Sequence, residues 1–326
     1  MSHSISRKKF IASSVLAAIS LQSGLNAFAS QPAVNNTTNE PLPATAMKIC
    51  IFSKCMHWLN YDDMAAMAAE IGFDGIDLTV RPGGHVLPER VTQDLPKAVA
   101  AIEKAGLKVY MITTNIKSAD ETYTADILKT AAGLGIKYYR TAWYDYDQSV
   151  DIPTNLELIR KRLAGLVALN KQYNMHGAYQ NHAGQYFGAS IWDLWLVLKD
   201  LDPAYISCQY DIRHATVEGP DTWSTSLNVL HKHIKTIAIK DFSWAPNGTK
   251  WQAKTVPLGG GIVNYDKYLS MIKQYQISGP ASMHFEYALG GAEDGAKTIT
   301  ISPAVFKAAI KKDLDTFKEM LKARGM

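Results

Sequence analysis

Residues 209–215 read QYDIRHA, and this stretch places Asp211 and His214 three positions apart soon after the apolar run AYIS. A carboxylate and an imidazole that leave a buried strand together can ligate a metal, bind a sugar hydroxyl or hydrogen-bond to each other. The two residue types alone leave these three uses open.

Polar side chains end other apolar runs of the chain as well. HGAYQNH carries Gln180 and His182, IAIKD carries Lys240, and HFEY carries His284 and Glu286. Because side chains alternate between the two faces of a strand, Gln180 shares a face with His182, and His284 shares one with Glu286. If these faces point inward, we expect the residues to converge on one pocket.

Eight β-rich apolar runs follow one another from Met47 onward, and amphipathic helical patterns separate them. The runs are MKICIFS, DGIDLTV, KVYMITT, KYYRTAW, HGAYQNH, YISCQYD, TIAIKDF and ASMHFEY. Several helical patterns end in a glycine that can take the left-handed conformation, as in EIGFDG, KAGLKV and GLGIKY. The alternation predicts an α/β fold, a (β/α)8 TIM barrel formed by the single domain 47–326, with its chemistry at the carboxyl ends of the strands.

The first 46 residues have a different composition. SRKKF, IASSVLAAISL and AFA follow in the order of a basic region, a short apolar core and a small-residue cleavage site. We therefore predict a signal peptide over 1–29, cleaved near Ala29, and a flexible leader over 30–46. The protein is expected to be periplasmic or secreted, without a membrane anchor.

The charge of the chain gives no electrostatic case for nucleic-acid binding. The formal net charge is +4, and residues 1–30 contain three basic residues and no acidic one, so the remainder carries about +1. Three cysteines, Cys50, Cys55 and Cys208, are too few for a disulfide scaffold, and we expect them to be buried. The sequence leaves the oligomeric state open.

Several motifs together resemble the xylose isomerase-like TIM-barrel superfamily, the sugar phosphate isomerase/epimerase group. They are AEIGFDGIDL, QNHAG, YDIRH, IAIKD, VPLGGGIVNYDKYL and HFEY, and the resemblance covers about residues 47–322. It implies proton abstraction next to the carbonyl of a sugar or keto-sugar, leading to isomerisation, epimerisation or elimination. It also implies a divalent metal (Mn, Mg or Zn) at four positions that here are Gln180, Asp211, Ala238 and Glu286. Since Gln180 lacks a carboxylate and Ala238 lacks any donor, we expect the metal to be weakly bound or absent.

The resemblance also implies roles for the acidic and basic residues. Glu286 is expected to act as the general base. Asp211, together with a metal or Lys240, is expected to stabilise the enediolate oxygen, and any metal is expected to be held by Asp211, Glu286 and Gln180. Asp211 is thereby expected to belong to a substrate pocket rather than to a purely structural pair.

Five further residues are predicted to contact a small-molecule carbohydrate. His214 and Arg81 are expected to orient hydroxyl groups, and Arg81 stands in TVRPGGHV, a loop able to direct it over the barrel mouth. Trp143 and Trp251 suit stacking on a sugar ring. His182 is placed in the same pocket, where it either replaces the imidazole missing at position 238 or packs beside the strand.

Two other functions remain open from the sequence. A glycoside hydrolase would use Asp211 and Glu286 as its pair of carboxyl groups, facing each other across a cleft. A catalytically silent sugar-binding barrel is compatible with Gln180 and Ala238. DNA repair, known among nuclease relatives in this superfamily, is disfavoured by the low charge.

Overall fold

Eight parallel strands close into a barrel in the computed structural model, which describes residues 47–326. The barrel strands are β1 (Ile49–Phe52), β2 (Gly75–Val80), β3 (Lys108–Thr114), β4 (Tyr138–Arg140), β5 (His176–Gln180), β6 (Ile206–Asp211), β7 (Ile234–Ile239) and β10 (Ala281–Met283). Around the barrel they follow the order β1-β10-β7-β6-β5-β4-β3-β2. The predicted (β/α)8 architecture and its eight strands are confirmed, whereas the predicted signal peptide and leader lie outside the described residues.

Helices follow the strands and cover the barrel. They are α1 (Tyr61–Ile71), α2 (Val91–Lys104), α3 (Thr124–Gly133), α4 (Ile152–Tyr173), α5 (Ile191–Leu198), α6 (Ile212–Glu218), α7 (Trp223–Leu230), α8 (Tyr265–Gln274) and α9 (Pro303–Lys322). Helix α1 illustrates the sequence logic, because Met64, Ala68 and Ile71 share one face and are buried. Asn60 caps its start, and Gly72 ends it with φ of 100°.

A β-hairpin that is absent from the eight predicted strand runs follows the seventh barrel strand. Strands β8 (Asp241–Asn247) and β9 (Lys250–Val256) pair antiparallel with each other, outside the barrel. Gly248 lies in the two-residue turn between them with φ of 62°. Glycine at the first position of a two-residue turn is a known hairpin signal, so the sequence carried evidence that the prediction missed.

The triple glycine at 259–261 wraps around the carboxylate of Asp241. This carboxylate accepts hydrogen bonds from the backbone N–H groups of Phe242, Gly259, Gly261 and Val263. A Cβ atom at Gly261 would lie 2.1 Å from Asp241 Oδ1, so only glycine fits there. Asp241 thus anchors the segment behind β7 instead of facing the barrel mouth.

Two smaller sequence inferences can be compared with the described residues. Cys50, Cys55 and Cys208 are buried free thiols, as predicted. Within residues 47–326, none of the helices is both long enough and apolar enough to cross a membrane.

His176 makes the stability of the barrel depend on pH. It is buried at the start of β5, where Nδ1 donates to Ala204 O and Nε2 accepts from Ser207 Oγ. Burial lowers its pKa to about 4, against an ordinary value of 6.5. Between pH 6.5 and 4 the unfolded chain therefore binds a proton at this histidine that the folded chain does not bind. The free energy of unfolding decreases as the pH falls through this window. Urea unfolding at pH 7.5 and pH 5 should give a smaller difference in the free energy of unfolding for His176→Gln than for the wild type. The surface variant His231→Gln is the control. An unchanged difference in His176→Gln, or an equal change in the control, would contradict this origin of the pH dependence.

Candidate active site

A cavity of about 160 Å³ opens at the carboxyl ends of the barrel strands. It is lined by Phe52, Lys54, Arg81, Arg140, Trp143, Gln180, His182, Lys240 and Glu286. A larger depression of about 560 Å³ lies near the amino-terminal ends of β5, β6 and β7, around His176 and Lys235. Since TIM barrels place their chemistry at the carboxyl ends, we take the smaller cavity as the candidate active site.

The ammonium group of Lys240 lies between two carboxylates at this cavity. Its Nζ is 3.0 Å from Asp211 Oδ2 and 3.3 Å from Glu286 Oε2. Asp211 is fully buried and the Lys240 side chain is 2% exposed, whereas 28% of the Glu286 side chain is exposed. Glu286 is therefore the carboxylate of this trio that a bound molecule can reach, and Lys240 connects it to Asp211.

The spacing of Asp211 and His214 has a local structural cause. Asp211 ends β6 and caps helix α6, where its Oδ1 accepts from His214 N at 3.2 Å. The side chain of Asn181 accepts from Asp211 N at 2.7 Å and donates to Asp211 O at 2.9 Å. Capping uses only one carboxylate oxygen, so Oδ2 stays available for Lys240.

Both carboxylates of the trio are held in the ionised form. Burial by itself raises the pKa of Asp211, but Lys240, His214 and His284 together bring the pKa well below its ordinary value. For Glu286, burial again raises the pKa, and Lys240, His284 and Lys54 together lower it well below the ordinary value. Neither group is a proton donor near neutral pH.

The ring of His214 is surrounded by more hydrogen-bond donors than it can accept from. Its Nδ1 lies 2.9 Å from Arg213 Nη1, and its Nε2 lies 2.9 Å from Lys240 Nζ. Burial, and then Lys240, lower the pKa of His214 well below 6.5, so the ring is neutral and has a single acceptor nitrogen. One N–H group at this position therefore faces another donor instead of an acceptor.

The side-chain amide of Gln180 bridges a cation and an anion. Its Oε1 accepts from Arg140 Nη1 at 2.5 Å, and its Nε2 donates to Asp211 Oδ2 at 2.8 Å. The opposite orientation would set oxygen against carboxylate and N–H against guanidinium, so the chemistry of the neighbours fixes the amide. The Gln180 oxygen consequently points away from Asp211 and Glu286.

These residues do not fit a divalent metal ion. Of the positions predicted to hold one, Gln180 turns its oxygen to Arg140, Ala238 has no donor atom, and Asp211 and Glu286 already contact the ammonium of Lys240. Among the described residues 47–326, no group of three or more His, Cys, Asp or Glu is arranged to hold a metal. The expectation of a weakened or missing metal site stays a prediction, and the oxygen of Gln180, proposed as a ligand, faces Arg140 in this arrangement.

The other predicted contacts fall into two groups. Arg81, Trp143 and His182 line the cavity, and His182 packs between Trp143 and His214 with ring centroids 4.6 and 3.9 Å away. Trp251 instead lies on β9 with 69% of its surface exposed and does not line the cavity. Its predicted contact with a sugar finds no support in this arrangement.

His284 packs beside the site instead of replacing the imidazole missing at position 238. Its ring stacks on Phe52 with centroids 4.3 Å apart, and its Nδ1 lies 3.8 Å from Glu286 Oε1. Burial lowers its pKa to about 4, so the ring is neutral. The ring thus packs between Phe52 and the carboxylate of Glu286.

Three residues that line the cavity, Phe52, Lys54 and Arg140, were given no role in the sequence analysis. Phe52 ends β1, and Lys54 follows in the turn Ser53–Met56, where its Nζ lies 3.6 Å from Glu286 Oε1. Arg140 ends the fourth barrel strand, within the predicted run KYYRTAW, and was given no role. The position of Lys54 just after a barrel strand was the available signal, because such positions surround the barrel mouth.

The fold and this site define a TIM barrel with a polar, charged pocket of the type used on small molecules. The family model of the xylose isomerase-like TIM barrel matches residues 65–308, and the chain belongs to this family. None of the curated proteins compared with the chain matches it.

Solved structures with the same fold include a probable dehydratase, a sugar epimerase and a magnesium complex. A probable 3-DHS dehydratase from Bacillus anthracis is 17% identical, with 83% of this chain and 99% of that chain covered and a TM-score of 0.62. D-psicose 3-epimerase from Clostridium cellulolyticum H10, solved with D-tagatose, is 12% identical, with 84% and 99% covered and a TM-score of 0.63. A xylose isomerase-like TIM barrel protein from Mycobacterium smegmatis in complex with magnesium is 15% identical, with 83% and 97% covered and a TM-score of 0.60. At these identities the likeness establishes the fold.

Proposed function

We propose that the protein is an exported sugar isomerase/epimerase-like enzyme that abstracts a proton next to the carbonyl of a sugar or keto-sugar. The observation that carries the proposal is the ammonium of Lys240, which lies between Asp211 and the accessible Glu286 at the cavity. An epimerase and a probable dehydratase among the structural neighbours are in keeping with this class of reaction. Export is supported by the sequence of residues 1–30 alone.

Glu286 is proposed as the base that takes the proton. Its ion pair with Lys240 keeps it ionised but also makes it a weak base. A substrate oxygen that accepts a hydrogen bond from Lys240 competes with Glu286 for that ammonium group. Binding of the reactive oxygen would therefore strengthen the base at the moment it is needed.

The negative charge that develops on the substrate oxygen meets several fixed donors. Lys240 contributes an ammonium group, and Lys54, Arg81 and Arg140 line the same cavity. Buried donors directed at such an oxygen stabilise an enediolate in the transition state without reorganising. The role that a divalent metal plays in other members of the family is thereby assigned to Lys240 in this chain.

The glycoside hydrolase alternative fits the same residues poorly. Such enzymes need one carboxyl group with a raised pKa as the acid and access to both groups from the substrate. Here the pKa values of Asp211 and Glu286 are both lowered, and Asp211 is fully buried beneath Lys240.

Exchange with solvent deuterium tests the proposal without knowledge of the final product. Incubation of aldoses, ketoses and keto-sugars with the enzyme in D2O should replace a C–H next to the carbonyl by C–D for at least one of them, followed by proton NMR. This readout covers isomerisation, epimerisation and reversible elimination. Binding of a sugar without any exchange would instead support the catalytically silent barrel, and release of a free sugar from a glycoside would support the hydrolase.

A further inference from the structure

Two arginines of the cavity have no anionic partner. The guanidinium carbons of Arg81 and Arg140 lie 5.5 and 5.4 Å from the centre of the same Phe52 ring. Within the described residues, neither guanidinium lies within 4.0 Å of a carboxylate, and Arg140 Nε has no hydrogen-bond partner. Arg140 is 3% exposed, so its free donor is directed into a buried part of the site.

The two guanidinium groups also repel each other. Burial, and next the charge of Arg81, lower the pKa of Arg140 to about 10. Asp77 lies beneath them, but its two oxygens accept from the hydroxyl groups of Thr113 and Ser282 at 2.8 and 2.7 Å. Asp77 thus accepts no hydrogen bond from either arginine, Arg140 Nε remains without a partner, and an anion placed between the two guanidinium groups would reduce the repulsion.

A count of the nearby charged residues indicates how much negative charge that anion carries. The cations in and directly below the cavity are Lys54, Arg81, Arg140 and Lys240, and the anions are Asp77, Asp211 and Glu286. The excess of one positive charge matches a carboxylate, whereas a phosphate monoester carries about −1.5 to −2 at pH 7. Arginine also binds a carboxylate through two parallel hydrogen bonds.

The size of the cavity limits the rest of the ligand. Its volume of about 160 Å³ is below the roughly 300–1,000 Å³ typical of pockets for drug-sized ligands. A single sugar unit is therefore a better match than an oligosaccharide.

We infer that the molecule bound here is a sugar acid whose carboxylate lies between Arg81 and Arg140 while its hydroxyl or carbonyl end faces Lys240 and Glu286. As a statement about the substrate this rests on the proposed function, but the preference for an acid is a property of binding alone. Arg81 and Arg140 become the residues that determine specificity.

Matched acid and neutral probes test this preference. Saturation-transfer NMR titrations would compare D-glucuronate with D-glucose and D-glycerate with glycerol, using the wild type and Arg81→Gln. Arg81 is half-buried and makes no ion pair within the described residues, so the variant is expected to fold. Arg90→Gln, which removes an exposed arginine at the start of α2, is the matched control for loss of one positive charge.

The wild type and Arg90→Gln should bind at least one acid tenfold or more tightly than its neutral counterpart, and Arg81→Gln should lose most of that preference. Equal binding of acid and neutral probes, or an unchanged preference in Arg81→Gln, would overturn the inference. Tighter binding of D-glucose 6-phosphate than of D-glucuronate would overturn the assignment of a carboxylate. Acid binding without deuterium exchange would count against the proposed reaction only, and exchange on neutral sugars without an acid preference would count against this inference only.

Discussion

Replacement of Glu286 by Gln should slow deuterium exchange next to the substrate carbonyl by about 10²–10⁴-fold, the usual contribution of a positioned general base. The amide keeps the size of the side chain and can still accept from Lys240, but it cannot take a proton. Because 28% of the Glu286 side chain is exposed and Asp211 keeps its own pairing with Lys240, the variant should fold normally. The rate is measured by proton NMR in D2O under single-turnover conditions.

Glu89→Gln serves as the matched control, since Glu89 is exposed and lies away from the cavity. It should exchange at the wild-type rate. Substrate affinity of Glu286→Gln should change much less than its rate, because the base acts mainly in the transition state. Exchange at more than about a tenth of the wild-type rate in Glu286→Gln would remove Glu286 from the role of base, given that a general base usually contributes at least 10²-fold.

The strand-end polar residues explain why much of the site was predictable. In a parallel barrel, residues that end successive strands must meet at one mouth, so Asp211, Lys240 and Glu286 were brought together by topology alone. The spacing of Asp211 and His214 likewise predicted a shared role. The structure adds that this spacing is the capping geometry of α6, which fixes one carboxylate oxygen and leaves the other for Lys240.

The parts that sequence reasoning missed depend on distances between side chains. Carboxylates near Lys240 could be expected from the sequence, but no pattern gives their distances or shows that the amide of Gln180 turns its oxygen to Arg140. Those outcomes follow from charge balance in a buried space, which is a property of several strands together. Trp251 illustrates the opposite error. It is close to site residues in the sequence, but the β8–β9 hairpin places it on an exposed surface outside the cavity.

Replacement of Lys240 by Met is expected to destabilise the protein by about 3–5 kcal/mol, the usual cost of removing one partner from a buried ion pair. Met has a similar length and fills the space, so the cost arises from the charge of Asp211, which is fully buried and would lose its cation. Urea unfolding at pH 7 gives the free energy of unfolding. Lys54→Met is the matched control, because Lys54 also faces Glu286 but at 3.6 Å and with a partly exposed side chain. This control should cost less than about 1 kcal/mol.

The double variant Lys240→Met/Asp211→Asn separates charge from packing. Asn can still accept the capping hydrogen bond from His214 N, and it removes the buried charge that Lys240 compensates. Most of the stability lost in Lys240→Met should therefore return, and a double variant as unstable as the sum of the two single variants would show that packing is responsible.

The same Lys240→Met variant tests the proposal that Lys240 takes the place of a divalent metal. Without the ammonium group, Asp211, Glu286 and His214 Nε2 are left facing the position that Lys240 Nζ held. Carboxylate and imidazole donors around an uncompensated negative charge attract a divalent cation. Titration with Mn2+, followed by the electron paramagnetic resonance signal of free Mn2+, should give at least tenfold tighter binding to Lys240→Met than to the wild type or Lys54→Met. One equivalent of Mn2+ bound tightly at this site in the wild type would mean that Lys240 moves aside for a metal and does not replace it.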